Sequence, residues 1–130
     1  KKRVFEQAGL LFENHHRLER AAVYESLFAR ERLGSTGLGA GIAVPHGRVK
    51  GLHQSIAAFF RLAKPLAFES PDGLPVSQLL FLLAPESAAQ QHLDILAEVA
   101  QLFSDETFRL TLARENDSTV VHRLLTTGLA

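Results

Sequence analysis

The chain has 130 residues, of which 46% are hydrophobic and 22% charged, and its fourteen basic residues balance fourteen acidic ones. This composition predicts one globular domain over residues 1–130 and gives no sign of a nucleic-acid partner. There is no cysteine, which excludes disulfides and thiolate metal sites and suits a cytoplasmic location. No apolar run approaches the ~18 residues of a membrane span.

Two helices are predicted at the start of the chain, because apolar residues recur at helical spacing over residues 2–13 and 18–33. We expect them to form an antiparallel pair on one face of a sheet. The inward residues of the second helix are expected to be Ala22, Val23, Leu27, Phe28 and Ala29. Its polar face carries Glu19, Arg20, Glu25, Arg30, Glu31 and Arg32.

Strands are predicted next, over residues 42–44, 55–62 and 76–84, with a short edge strand at residues 67–68. The two longer segments are almost continuously apolar, which is typical of strands buried on both faces. Three helices follow: one over residues 88–103, one that opens at Ser104-Asp105 and one over residues 119–127. This order predicts a three-layer α/β/α fold with a mixed central sheet.

A glycine-rich stretch, LGSTGLGAGIAVPHGRV, fills residues 33–49, and six of the nine glycines lie between Gly34 and Gly51. It fits neither the dinucleotide-binding pattern G-x-G-x-x-G nor the phosphate-binding P-loop, which needs Lys followed by Ser or Thr. Pro45 stiffens the backbone before His46, and Gly47 frees it afterwards. An imidazole, flexible amides at Gly47 and the guanidinium of Arg48 together suggest a phosphoryl site. A glycine-rich turn with an incidental histidine is an equally weighted alternative.

The string GIAVPHGR resembles the active-site segment of enzyme IIA domains of the bacterial phosphoenolpyruvate-dependent phosphotransferase system, in the mannitol/fructose class. The longer string RERLGSTGLGAGIAVPHGR is similar to the nitrogen-regulatory branch of that class. The resemblance extends over nearly the whole chain and implies the same α/β/α fold. It also implies that an N-terminal strand, usual in the family, is missing ahead of the first helix.

The resemblance implies that His46 accepts a phosphoryl group from a histidine-phosphorylated carrier protein. It places a second histidine, His92 in QQHLDIL, beside the phosphate; the alternative for His92 is a solvent-exposed residue at a helix start. The neutral imidazole of His46 would attack in line, while Gly47 N–H and Arg48 stabilise charge on the phosphoryl oxygens. The sequence does not show which group fixes the ring tautomer. No metal or cofactor is expected, because the donor is already an activated phosphoramidate.

Three functions remain open from the sequence. The segment GSTGLG favours a regulatory phosphocarrier whose phosphorylation state controls target proteins. The second function is a sugar-specific enzyme IIA that passes phosphate to a IIB domain, and the third is a binding module in which His46 merely shapes a turn. The carrier is expected to dock on an apolar patch near His46, for which Leu38 and Ile42 are candidates. The other histidines are His15 and His16, expected in a solvated turn, His53, expected on the surface, and His122, expected to pack while partly exposed.

Overall fold

The computed structural model describes residues 1–129 and the side chains of residues 1–125. The chain divides into two compact units, Lys1–Ala89 and a second that begins at Gln90. The first unit contains helices α1 (Lys2–His16) and α2 (Arg20–Arg32) and strands β1 (Gly37–Gly39), β2 (Ile42–Ala43), β3 (His46–Val49), β4 (Ile56–Leu66) and β5 (Val76–Pro85). Helices α3 (Ala89–Phe103), α4 (Glu106–Arg114) and α5 (Ser118–Leu129) follow. No helix among residues 1–129 has the length and apolar character needed to cross a membrane.

Strand β5 is the centre of the sheet, as its unbroken apolar sequence predicts. Strand β4 runs antiparallel along one edge of β5, while β2 and β3 run parallel to the other edge. Strand β1 pairs antiparallel with β2 and extends the sheet on that side. The sheet is therefore mixed, and the predicted α/β class with a mixed central sheet is confirmed.

Strands β2 and β3 are two parts of one strand that is interrupted next to the candidate site. Ile42 pairs with Gln78 and His46 with Leu82, so the offset along β5 is the same before and after the break. Val44 and Pro45 lie in the interruption. Proline has no N–H to donate to a neighbouring strand, and the Val44 N–H donates instead to the carbonyl oxygen of Thr36, at 3.0 Å. On the β5 side, the Pro45 carbonyl oxygen accepts from Leu82 N at 3.0 Å, and the residue pairing with β5 resumes at His46.

The core of the first unit lies between the helix pair and the sheet. The Phe5 ring of α1 lies 5.3 Å from that of Phe28 and 5.7 Å from that of Phe81, measured between centroids, both in edge-on arrangements. The Phe68 ring, 6.2 Å from Phe5, completes the cluster. Such aromatic pairs add about 0.5–1.5 kcal/mol each beyond the area that they bury.

Two strand predictions were wrong. Residues 67–68 form no strand: Phe68 turns into the core with 1% of its surface exposed, so its apolar character reflects ring packing. Strand β4 continues to Leu66 through a register shift after Arg61. It is also half-buried rather than covered on both faces, which fits its position as an edge strand that pairs only with β5 in the described sheet.

The second unit contains the predicted helices. Asp105 precedes α4, and its Oδ1 accepts hydrogen bonds from Thr107 N at 2.9 Å and Phe108 N at 3.3 Å. Asp117 does the same before α5, accepting from Thr119 N at 2.9 Å. Both are N-caps, which satisfy amides that the helix itself leaves unpaired. These caps explain why the helix starts were readable from the sequence.

Candidate functional site

His46 is the first paired residue of β3, and its imidazole is half-buried. Its Nδ1 lies 2.9 Å from the carbonyl oxygen of Val44. A carbonyl oxygen only accepts hydrogen bonds, so in the neutral ring Nδ1 carries the proton and Nε2 carries the lone pair. The group that fixes the tautomer is thus a backbone carbonyl two residues before the histidine, in the strand interruption.

The surroundings of His46 favour the neutral imidazole. Burial is the largest influence and lowers the pKa of His46 below its usual value. The hydrogen bond to Val44 raises that pKa, the positive charge of Arg30 lowers it, and the negative charge of Glu31 raises it. Burial prevails, because a partly desolvated ring disfavours the imidazolium. The ring is therefore largely unprotonated near neutral pH and able to act as a nucleophile.

Arg30 and Glu31, at the C-terminal end of α2, are site residues that the sequence analysis placed on a solvent face. Glu31 is in fact buried, with 8% of its surface exposed, and Arg30 is half-buried. The Arg30 Nη1 donates to the carbonyl oxygen of Gly34 at 2.8 Å. In the sequence, their proximity to the site was indicated by their position just before the glycine-rich stretch. Helical periodicity alone assigns both residues to the polar face.

The same helix prediction was wrong for two alanines. Ala22 and Ala29 are exposed rather than inward, whereas Val23 and Leu27 are buried as expected. Helix α2 therefore buries a narrower apolar stripe than the sequence suggested. The C-terminal end of α2 contacts the glycine-rich segment through charged residues and not through further apolar ones.

Gly47 has a packing role that the sequence did not reveal. It is buried in β3, where it pairs with Leu83. A Cβ atom at this position would collide with the hydroxyl oxygen of Ser26 on α2. The glycine therefore allows α2 to approach the strand closely. Its predicted contact with phosphate stays a prediction.

Arg48 lies on the same face of β3 as His46, because residues two apart on a strand point the same way. Its side chain is exposed, and its Nη1 donates to the carbonyl oxygen of Glu86 at 3.2 Å. Its own carbonyl oxygen accepts a hydrogen bond from Ser26 Oγ at 2.8 Å. The predicted cation is thus present on the face that carries the imidazole, and its contact with phosphate stays a prediction.

The turn between β1 and β2 is held by Asp72. Its Oδ2 accepts from Ala40 N at 2.8 Å and its Oδ1 from Leu74 N at 3.1 Å, and these two bonds lower the pKa of the carboxyl group. Of the two docking candidates on this hairpin, Leu38 is 43% exposed and Ile42 only 2%. Ile42 was therefore a wrong choice for a docking residue, because β2 turns it into the interior.

His92 is buried in the first turn of α3, with 7% of its surface exposed. This contradicts the alternative of a solvent-exposed histidine at a helix start. His15, His16, His53 and His122 are exposed, but His15 and His16 lie in the last turn of α1 rather than in the predicted turn, because the helix continues to His16. No cluster of three or more metal-ligating side chains occurs within residues 1–125, whose side chains the structure describes.

The mixed sheet with a half-buried histidine at the start of β3 matches a known class of α/β domain. The family model described as "Phosphoenolpyruvate-dependent sugar phosphotransferase system, EIIA 2" matches residues 1–128. The chain belongs to this family.

Within the family, two similar relatives carry a nitrogen-regulatory name. The chain is 48% identical to nitrogen regulatory protein IIA-Ntr from Neisseria meningitidis, whose crystal structure superposes with a TM-score of 0.90 over 96% of this chain and 86% of that one. It is 44% identical over 103 residues to the nitrogen regulatory protein of Pseudomonas aeruginosa, covering 78% of this chain and 67% of the relative. The mannitol IIA of Escherichia coli, 22% identical, shares the fold with a TM-score of 0.74 over 99% of this chain and 88% of that one.

Proposed function

We propose that this protein is a histidine phosphocarrier of the nitrogen-regulatory branch, which accepts phosphate onto Nε2 of His46. The observation that carries the proposal is the 2.9 Å contact between His46 Nδ1 and the Val44 carbonyl oxygen. It assigns the proton to one ring nitrogen and the nucleophilic lone pair to the other. The identities of 44% and 48% to nitrogen regulatory proteins support the regulatory branch.

The donor is a carrier protein phosphorylated on histidine. The lone pair of His46 Nε2 forms a bond to phosphorus as the bond from phosphorus to the donor's ring nitrogen breaks, and the leaving imidazole keeps that electron pair. The transition state is loose, so the protein acts chiefly by positioning and by stabilising charge. The Nδ1 proton stays on the ring, where the Val44 carbonyl dipole stabilises the positive charge that the ring gains.

Positive charge near His46 stabilises the phosphoryl oxygens. Arg30 is a candidate because its charge already acts on the imidazole, and Arg48 because it shares the His46 face of β3. A guanidinium is suited to phosphate, since its donors form a planar fork. His92 and the Gly47 amide complete the proposed set, on the family resemblance described above.

The protein works as one cytoplasmic domain over residues 1–130, with the phosphorylated carrier as its donor and regulatory proteins as its targets. The match of the family model to residues 1–128 supports this assignment. Transfer to a IIB domain would define a sugar-specific enzyme IIA instead. That outcome is less expected, because two sugar-system relatives are less similar than the nitrogen regulatory proteins above. A 2-O-alpha-mannosyl-D-glycerate-specific component from Escherichia coli is 35% identical over 78% of this chain, and a fructose-specific EIIA component from Haloferax volcanii is 29% identical over 82%.

The test is incubation with a carrier protein whose phosphohistidine carries radiolabelled phosphorus. We expect acid-labile label on the wild type, none on His46→Ala, and wild-type labelling of His53→Ala, which changes an exposed histidine. Label on His46→Ala, or none on the wild type, would contradict the proposal. Adding a IIB domain separates the branches, since only a sugar-specific protein would discharge its label to it.

A further inference from the structure

A buried carboxylate connects α2 to the start of β1. The Glu31 Oε2 accepts a hydrogen bond from Thr36 N at 2.9 Å, and its Oε1 accepts from the Thr36 hydroxyl. Oε2 also lies 3.2 Å from the Lys1 ammonium nitrogen. A buried carboxylate without such partners would be costly, so its position is closely determined by them. Glu31 thereby fixes both the backbone and the side chain of Thr36.

The next link joins Thr36 to Val44. The Thr36 carbonyl oxygen accepts the Val44 N–H at 3.0 Å, and the Val44 carbonyl oxygen faces His46 Nδ1 at 2.9 Å. The buried carboxylate of Glu31 and the imidazole of His46 are therefore joined by hydrogen bonds through the backbone of Thr36 and then that of Val44. We name the sequence Glu31, Thr36, Val44, His46 the positioning relay.

The relay matters because of where Val44 lies. Val44 falls in the interruption between β2 and β3, where Pro45 has no N–H and bonds to β5 through its carbonyl oxygen, which accepts from Leu82 N at 3.0 Å. The bond to Thr36 holds the N–H of Val44, and the bond from Leu82 holds the carbonyl of Pro45, so the Val44 carbonyl oxygen between these two bonds is directed towards His46. If the Val44 carbonyl oxygen did not point at Nδ1, the tautomer with the proton on Nδ1 would lose its stabilising hydrogen bond. The proton would then be carried mainly on Nε2, which is the preferred tautomer of a neutral imidazole in water.

We propose that Glu31 is a positioning residue: through Thr36 and Val44 it holds the proton of His46 on Nδ1 and keeps Nε2 available as the nucleophile. This inference deepens the proposed function of His46 and rests on it. Glu31 contacts Thr36 and Lys1, and in this scheme it does not contact the phosphate. Its hydrogen bonds rather than its charge carry the role, so glutamine, which keeps both contacts to Thr36, should preserve it.

The experiment measures the His46 tautomer directly, by two-bond proton–nitrogen NMR of the imidazole in the unphosphorylated protein at a pH where the ring is neutral. Wild type should be mainly Nδ1–H. Glu31→Ala should lower the ratio of Nδ1–H to Nε2–H about fivefold, the effect of losing one ordinary hydrogen bond. Glu31→Gln should restore the wild-type ratio. Glu25→Ala, which removes an exposed carboxylate from the same helix, should leave it unchanged.

A second variant keeps the test decisive if Glu31→Ala does not fold. Thr36→Val removes the hydroxyl contact while keeping the backbone, and it should shift the tautomer in the same direction and slow phosphate acceptance in parallel. A wild-type ratio in folded Glu31→Ala or in Thr36→Val would overturn the inference. Because the tautomer is measured without phosphate, a wild-type chain that never becomes phosphorylated would contradict the proposed function alone.

Discussion

Ser26 on α2 and Gly47 on β3 touch so closely that no side chain fits between them. The Ser26 hydroxyl occupies the place that a Cβ at position 47 would take, and it donates to the carbonyl oxygen of Arg48 at 2.8 Å. The approach of α2 to β3 brings Arg30 and Glu31, on the last turn of that helix, near the histidine. The contact between Ser26 and Gly47 therefore also determines how near these two charged residues lie to His46.

We expect Gly47→Ala to destabilise the protein by about 1–3 kcal/mol, the usual cost of forcing extra volume into a packed site. Urea denaturation measures the change in the free energy of unfolding. The Ser26→Ala/Gly47→Ala double variant should be less destabilised than the sum of the single changes, because it removes the colliding hydroxyl. Strict additivity would show that the strain arises elsewhere.

The stability of the protein should depend on the protonation of His46. Its pKa is lowered in the folded state, chiefly by burial, so between that value and about 6.5 the unfolded chain binds more protons. The contribution of His46 is therefore fully present above about pH 6.5 and is lost as the pH falls through the folded-state pKa. Urea denaturation at pH 7.5 and at acidic pH should show a larger loss of stability for the wild type than for His46→Gln. Equal losses would contradict this assignment.

Arg30 and Arg48 should differ in their effect on the pKa of His46. Arg30→Ala should raise the pKa of His46, because it removes a positive charge that lowers it, and should slow phosphate acceptance about tenfold to a hundredfold, the worth of one charge-assisted hydrogen bond. Arg48→Ala should slow acceptance without moving the pKa to the same extent. NMR titration of the His46 ring, with transfer rates on the same samples, checks both. A rate unchanged in either variant would remove that arginine from the site.

Much of the fold was predictable from local signals. Strand β5 was clear from its continuous apolar run, and α4 and α5 from the caps at Asp105 and Asp117. Strands β1 and β3 were not predicted, because segments of three or four residues are too short to show an apolar periodicity. They exist because β3 keeps the register of β2 along the central strand, a tertiary constraint that no short segment encodes.

The candidate site was predictable in its nucleophile but not in the groups around it. His46 stood out because it lies between Pro45 and Gly47. The Val44 carbonyl could not be identified, because backbone groups have no sequence signature. Glu31 was assigned to solvent, because helical spacing cannot show that a charged residue near a helix end will be buried against the next loop.

His92 offers a test of the family resemblance. His92→Ala should slow phosphate acceptance about tenfold to a hundredfold, the cost of losing a hydrogen bond to a charged group, with a far-ultraviolet circular dichroism spectrum like that of the wild type. Gln91→Ala, at an exposed neighbouring position, should transfer at the wild-type rate. A folded His92→Ala protein with an unaltered rate would leave His92 a buried structural residue.

The central claim concerns one atom, Nε2 of His46, and phosphorus–nitrogen NMR tests it most directly. The protein, labelled with nitrogen-15 at histidine, is phosphorylated by the phosphorylated carrier, and the one-bond coupling identifies the nitrogen that is bonded to phosphorus. The account predicts a single phosphohistidine at position 46, with phosphate on Nε2 and the proton still on Nδ1. Phosphate on Nδ1 of His46, or on any other histidine, would contradict it.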